Sequence, residues 1–503
     1  MRMRAWLGGA LLAATLGLAP AQAQKSQDTL RIAWRDAIPN VDFYYNSLRT
    51  GLVVSHHVWD TLVYRDPETF QIRPQLATAW RYVDETSIEF DLRPGITFHD
   101  GSKFTADDVV YTVNLVLNDK QIAVPSNYSF IEGAEKVDDL KVRIRLKRVF
   151  PAALEYFAMV LPIYPKAYRE RAGDDFSNHP VGTGPYKITK VDGVTEIDME
   201  RNDSYFDGPK GKPPIKKLVI KEVADATGEL TQIVSGQADW IWQFSVDQLA
   251  NLSKMPNLQT LTNESMRVTY MNMDTAGRTG SDNPLTKQKV RQAVLYAIDR
   301  QTMAKQFMPG GSRVLDAPCF PTQFGCDSAV ATKYDYNPER AKALLAESGY
   351  PNGFDTELVT YLLPQWAQAV QGYLGAVGIR AKISQLQVGA VVQRSSEGKN
   401  PLEFGSWGSY SINDVSAFLP YFFAGGGNDY TRDPEVIRLV DEGGATTDPD
   451  RRRAAYTAAI RRITEQAYYM PTFTWVTVYA ISKQLNFKTH RDELPRFYMA
   501  SWK

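Results

Sequence analysis

The sequence predicts a mixed α/β protein of two or three domains. Its 503 residues exceed what one hydrophobic core organises. Runs with period-2 alternation are interleaved with runs whose apolar residues recur at helical spacing. Pro, Gly, Asn and Asp punctuate the joints between them. That mixture favours α/β or α+β layers around sheets.

The elements follow in order. Thr29 to Trp34 reads as a strand, followed by an irregular aromatic segment from Asp42 to Asn46. Ser55 to Tyr64 reads as helical and then extended. In TSIEFDLRPGITFHDGSKFTADDVVYT, residues 86–112, Ile88, Phe90 and Leu92 alternate with Glu89, Asp91 and Arg93, as in a half-buried strand. Pro94-Gly95 and Asp100-Gly101 are turn pairs. Thr105 and Asp108 form a capping box for a helix opening at Ala106. Val142, Ile144 and Leu146 alternate as another strand, and Pro151 to Tyr164 reads as a helix and its exit. Strands are predicted at 186–190, 196–200 and 215–223, then a helix over 224–235 ending at Gly236. Thr286 is placed to cap a helix in which Val290, Ala293, Val294 and Ala297 share a face. Asn337 caps the next, with Pro338 at its first position and Gly349 past its end. Pro364 signals a helix over 366–376, Gly378 ends it, and a strand follows at 379–383. Asp448 and Pro449 open a last long helix through Ile463.

The first 23 residues read as a secretory signal. Arg2 and Arg4 precede an apolar run from Ala5 to Leu18, too short to span a bilayer, and Ala21-Gln22-Ala23 fits a cleavage site. No cysteine follows that run, so a periplasmic protein without a lipid anchor is expected; an uncleaved anchor is the competing reading. The 57 basic and 57 acidic side chains balance, which gives nucleic acid or anionic lipid no bulk attraction. The two cysteines, Cys319 and Cys326, lie in CFPTQFGC, and in an oxidising compartment a local disulfide is expected. Two thiolates with no histidine close in sequence do not fill a zinc shell, so no metal site is expected.

Chemistry comes from resemblance. The run F-x-L-R-x-G-x-x-F-H-D-G, with T-A-x-D-V after it, is followed by Pro180–Tyr186 (PVGTGPY) and by Arg201-Asn202 with Tyr205. Then come Ser235-Gly236 with Asp239, Val290–Ala293 (VRQA) with Ala297–Arg300 (AIDR), and YNPERAKALLAESGYPNGF at 336–354. This ordered set resembles the large solute-binding proteins of ABC importers that carry peptides and nickel, the oligopeptide/dipeptide/nickel-binding family (family 5). The resemblance implies an α/β, two-lobed periplasmic binding protein of type II with an extra domain inserted in lobe I. Lobe I would comprise 24–63, 180–268 and 483–503, the insert 64–179, and lobe II 269–482. Crossings near Val268–Tyr270 and Ile481–Gln484 would form the hinge. It further implies capture of peptides or peptide-like solutes, delivery to a permease and ATPase, a monomer and no cofactor. A non-peptide ligand (an opine, oligosaccharide or metal chelate) is the alternative, and a periplasmic chaperone or chemoreceptor adaptor on the same fold is the second class.

The resemblance also nominates the ligand site. Trp242 and Gln243 end a strand that lines the cleft in relatives; core packing is the competing reading for Trp242. Phe404 to Tyr410 resembles the segment bearing the ligand-facing Trp, which makes Trp407 the leading candidate. Peptide-binding relatives carry an Asp three residues after that Trp, where it pairs with the peptide ammonium; here the position is Tyr410. Either Asp414 takes over or the ligand lacks a free amino terminus. Arg394 is a candidate for a ligand carboxylate, and Asn127 and Tyr128 for contacts from the insert. The glycine-rich Phe422–Asp429 reads as a flexible loop without the strand–loop–helix context of a phosphate cradle.

Enzyme motifs are missing: no H-E-x-x-H, G-x-S-x-G, Walker A or C-x-x-C occurs, and His56 and His57 are adjacent, which points their rings apart on a helix. A binding protein rather than an enzyme is the expectation.

Overall fold

The computed structural model describes residues 28–503 apart from positions 37, 39, 47, 194 and 309; the signal-peptide reading lies outside the described residues. A ten-stranded sheet runs Ile379–Gln385, Phe354–Thr360, Leu402–Trp407, Leu258–Met273, Tyr469–Ser482, Trp240–Trp242, Thr29–Trp34, Lys217–Glu222, Glu196–Arg201, Tyr186–Asp192. Parallel pairing occurs at two places. Thr29–Trp34 lies parallel to Lys217–Glu222 and Trp240–Trp242, and Phe354–Thr360 lies parallel to Ile379–Gln385 and Leu402–Trp407. Parallel neighbours need crossovers. The helices Ala226–Ser235, Pro364–Ala376 and Val388–Ser396 supply them.

The two parallel regions are joined by the long antiparallel pair Leu258–Met273 and Tyr469–Ser482. Their register shifts between Glu264 and Val268 and again between Val268 and Tyr270. The sequence YMPTFTWVTVYAIS is almost wholly buried, as a central strand covered on both faces must be. One apolar core collects Leu30, Trp59, Phe90, Tyr164 and Trp240. Others form around Val290, Leu344 and Trp366, and around Phe422, Ile460 and Tyr469.

Most local expectations hold, because their signals are short-range. The capping box is present, with Thr105 N–H donating to Asp108 Oδ2 at 2.8 Å ahead of the helix Ala106–Asn118. Asn337 accepts from Arg340 N–H at 2.9 Å and opens Pro338–Glu347; Asp448 caps Pro449–Glu465. Gly236 closes Ala226–Ser235 at φ 75°, where a Cβ would be strained.

Three readings are corrected. Thr286 does not cap its helix: it ends a short 3-10 turn capped by Asn283, and the helix is Gln288–Ala297. The strand Ser87–Leu92 is not half-buried. Its polar face is covered as well, because Glu89 is held by Arg81, Arg143 and Lys141. The glycine-rich segment is tied down rather than loose, since the buried Asp429 accepts from the backbone N–H groups of Gly425, Thr431 and Arg432.

Cys319 and Cys326 are bonded, with Cα atoms 5.8 Å apart. Their loop grips the segment after Trp407: Gln323 Nε2 donates to Ile412 O at 2.8 Å, and Phe324 N–H to Asn413 O at 3.1 Å. On loop-closure entropy, replacing both cysteines by serine is expected to cost about 2.5 kcal/mol. A urea unfolding midpoint unchanged from wild type would refute this.

A second prediction concerns Glu229 on Ala226–Ser235. Its side chain is fully buried, 2.8 Å from Arg35 Nε. Burial pushes its carboxyl up to about 7, against the pull of Arg35. Between the ordinary value of 4.5 and about 7 the folded chain keeps a proton that the unfolded chain releases. Stability from this group is therefore greatest at low pH and declines as pH rises through that window. Glu229→Gln should flatten the decline; an equal wild-type and variant pH profile of the urea midpoint from 4.5 to 8 would count against it.

Candidate functional site

A cavity of about 500 Å³ opens where the long strand Leu258–Met273 meets Leu402–Trp407. Arg267 and Tyr270 come from the first strand; Glu403, Ser406 and Trp407 come from the second. Arg49, the first residue of the helix Arg49–Val58, also lines it, with Val124 at the start of the 3-10 turn Pro125–Tyr128 and Ser126 within that turn. Val388 and Val392, which are 56% and 44% exposed, form an apolar rim.

The cavity is electrically polar along the strand. At one end, Arg49 and Arg267 converge on Glu493. Arg267 makes a two-pronged contact, Nε to Oε1 at 3.2 Å and Nη2 to Oε2 at 3.0 Å, and Arg49 Nη2 lies 3.4 Å from Oε2. Burial alone would raise the Glu493 carboxyl, but the two guanidiniums hold it down at about 2. A Cβ added to Gly408 would stand 3.0 Å from Arg267 Nη2 and 3.3 Å from Arg49 Nη2, so the guanidiniums rest against bare backbone there. At the other end Glu403 accepts from Tyr270 Oη at 2.8 Å and from Asn400 Nδ2 at 2.8 Å. Burial pushes its carboxyl up from the ordinary range, and the Asn400 and Tyr270 hydrogen bonds oppose that. Between the ends, Trp407 stacks on Tyr421 with ring centroids 4.1 Å apart, and its indole N–H donates to Ala417 O.

The loop after Trp407 carries unusual backbone. Ser409, Tyr410 and Ser411 have φ of 41°, 46° and 59°, three successive non-glycine residues in the left-handed region. Contacts from distant segments hold them. Ser411 Oγ donates to Asp492 O at 2.8 Å, Arg65 Nη1 donates to Ser411 O, and Arg49 Nη1 reaches Ser411 Oγ.

Of the residues nominated from sequence, Trp407 and Tyr410 line the cavity. The others do not. Asp414 is almost fully buried, and Arg452 Nη2 lies 2.9 Å from each of its oxygens. It is committed to an internal ion pair, and the acid that faces the cavity is Glu403. Arg394 is engaged by Glu357, Asn400 and the Lys399 carbonyl. Trp242 is core, packed on Trp240 and Tyr479, and Gln243 is exposed beyond the strand end. Tyr128 donates to Val160 O and is buried with Asn127; their neighbour Ser126 is the one that faces the cavity. His56 and His57 are also packed, His57 against Phe497 and Tyr498.

Arg49, Arg267 and Glu493 were missed because they come from distant parts of the chain, and Glu403, four residues before Trp407 on one strand, because nothing local marks it as facing a cavity. Arg49 alone left a trace. A cation in the first helical turn, with no acid beside it, runs against the helix dipole.

The family model described as bacterial extracellular solute-binding proteins, family 5 Middle, matches residues 71–430. The chain belongs to that family. It is 27% identical over 460 residues to heme-binding protein A of Haemophilus influenzae, covering 83% of this chain and 81% of that one. It is 27% identical over 506 residues to the glutathione-binding protein GsiB of Salmonella paratyphi A, covering 95% of each. Among solved structures, HbpA2 from Haemophilus parasuis superposes with a TM-score of 0.82 at 24% identity, over 94% of this chain and all of that one. The fold is thus that of the type II periplasmic binding proteins. Family members bind solutes rather than transform them, and the described residues contain no helix long and apolar enough to cross a membrane.

Proposed function

We propose that this chain is the periplasmic solute-binding subunit of an ABC importer, capturing a peptide or peptide-like solute with a free carboxylate. The charge polarity of the 500 Å³ cavity carries the reading: a carboxylate goes to Arg49 and Arg267, and a donor group goes towards Glu403. The volume falls in the range of small-molecule sites. Glu403 and Trp407 are four residues apart on one strand, about 13 Å of backbone, which suits an extended chain of three or four residues. The engagement of Asp414 by Arg452 favours a second reading, a carboxylate-bearing ligand without a free amino terminus, such as an opine.

The division into lobe I (24–63, 180–268, 483–503), insert (64–179) and lobe II (269–482) belongs to this proposal. It is supported by the separate apolar cores and by the register shifts on either side of Val268. Closure of the lobes would trap the ligand and present the closed form to a permease.

The test is a thermal-shift screen of residues 24–503 against tri- and tetrapeptides, their C-terminal amides, glutathione, heme, opines and nickel chelates. A bound ligand must raise the melting temperature. Shifts with free acids that vanish on amidation support the reading; shifts that ignore amidation refute it, and shifts confined to non-peptide acids select the second reading. With a ligand in hand, Trp407→Ala should weaken binding by about 2 kcal/mol if the ring is a packed anchor, and unchanged affinity would remove it from the site.

A further inference from the structure

We propose that Glu493 is a positioning residue that sets the charge of the site, so that the cavity selects a single carboxylate group over a paired one. The inference rests on the carboxylate reading above and assigns its selectivity to a residue that need not touch the ligand. Four observations carry it.

Glu493 is nearly sealed from solvent, with its side chain 2% exposed, while Arg49 and Arg267 are 13% and 28% exposed. The carboxylate therefore lies behind the guanidiniums, which form the wall the ligand meets. Glu493 is also fixed in place. Ser265 Oγ donates to Oε1 at 2.6 Å, Arg267 spans both oxygens, and the backbone sits at φ 56°, a left-handed conformation that costs a non-glycine residue energy.

The adjacent charges cancel among themselves. Asp492 and Glu155 balance Arg65 and Arg496, through contacts of Arg65 to both acids and of Arg496 to Asp492. The group of Arg49, Arg267 and Glu493 is left with one excess positive charge. The remaining charged wall residue, Glu403, lies at the other end, held by Tyr270 and Asn400.

The guanidiniums also keep N–H donors for an incoming carboxylate, so charge rather than donor number sets the limit. A guanidinium offers five N–H donors. Arg267 spends Nε and Nη2 on Glu493, and Arg49 spends Nη1 on Ser411 Oγ and Asp492 O and Nη2 on Glu493. Arg267 Nη1 and Arg49 Nε make no hydrogen bond among the described residues. One incoming carboxylate would neutralise the excess charge and use those donors; a second would arrive at a neutral wall, and selectivity of this kind is a difference between two binding energies.

The experiment uses the chain 24–503 and isothermal titration with three probes: Ala-Phe-Ala, Ala-Phe-Asp and Ala-Phe-Ala amide. Wild type should bind Ala-Phe-Ala at least about tenfold more tightly than either of the others. Glu493→Gln raises the excess charge to two and should move the Ala-Phe-Ala to Ala-Phe-Asp affinity ratio at least about tenfold towards the diacid. Glu493→Asp, which keeps the charge, should retain the wild-type order. A Glu493→Gln variant that loses affinity for both acids by the same factor would assign Glu493 a structural role only and overturn the proposal. Should that variant fail to fold, Arg49→Gln removes the excess charge from the other side and must bind acid and amide alike; a surviving preference for the acid is equally fatal. Wild type that binds no probe, or binds the amide as well as the acid, overturns the carboxylate reading and this inference together, whereas an amide-sensitive wild type with an unmoved Glu493→Gln ratio overturns this inference alone.

Discussion

Asp492→Asn is expected to destabilise the chain by about 3–5 kcal/mol, the cost of leaving buried charge uncompensated. Asp492 is fully buried. It accepts from Arg496 Nη1 and Nη2 at 2.9 and 2.6 Å and from Arg65 Nη2 at 3.0 Å. Those guanidiniums are themselves 2% and 1% exposed, so solvent cannot replace the lost carboxylate. The magnitude does not mean that the network is worth this much against an apolar core; it is the penalty for breaking it on one side.

The position adds to the effect. Arg65 also donates to Glu155 and to the Ser411 carbonyl, and Asn413 N–H donates to Glu155 Oε2. Four segments distant in sequence therefore meet at Asp492, and the strained Ser409–Ser411 loop is held from that junction. Burial opposes ionisation of Asp492, yet Arg496 and Arg65 hold its pKa well below the carboxylate range. A depressed folded pKa contributes stability that is present above the unfolded value of 3.8 and is lost as pH falls below it. The gap between wild type and variant urea midpoints should thus be full at pH 7 and shrink below about pH 4. A difference under about 1 kcal/mol at pH 7 would show that the junction relaxes without cost.

What the sequence revealed and what it hid follow from the range of each signal. The box of Thr105 and Asp108, the cap at Asn337 and the left-handed Gly236 depend on residues within a few positions of each other, and local composition determines them. The parallel regions of the sheet were legible only as alternating runs. Their order depends on pairings such as Ile32 with Trp240, more than two hundred residues apart. Trp407 was legible because its motif is contiguous, and it does line the cavity. Asp414 was misread for the complementary reason: its partner Arg452 lies on the helix Pro449–Glu465, and nothing local marks the pair. The charged end of the cavity was the least legible feature. Arg49, Arg267 and Glu493 come from a helix start, a long strand and a loop near the C-terminus, and only the folded chain brings them within 3.4 Å.

Arg267→Met should have the largest effect on binding, lowering affinity for a carboxylate-bearing solute at least about a hundredfold, since truncating a charged partner in a desolvated site costs 2–5 kcal/mol. Methionine preserves much of the aliphatic bulk, so the loss would report the guanidinium. The contact of that group with the Trp475 ring at 5.9 Å is long and adds little. In the variant Glu493 retains Arg49 as its partner, and the pair becomes neutral, which removes the attraction for an anion at that end of the cavity. Arg267→Lys separates charge from geometry. It restores the positive charge without the planar fork, and should recover only part of the affinity if two-pronged contacts orient the site. Equal affinity in Lys and wild type would reduce the role of Arg267 to its charge. Unchanged affinity in Met, with an unchanged melting temperature for the ligand-free protein, would move the anion site away from Arg267 and leave Glu403 and the Trp407–Tyr421 stack to define what the cavity takes.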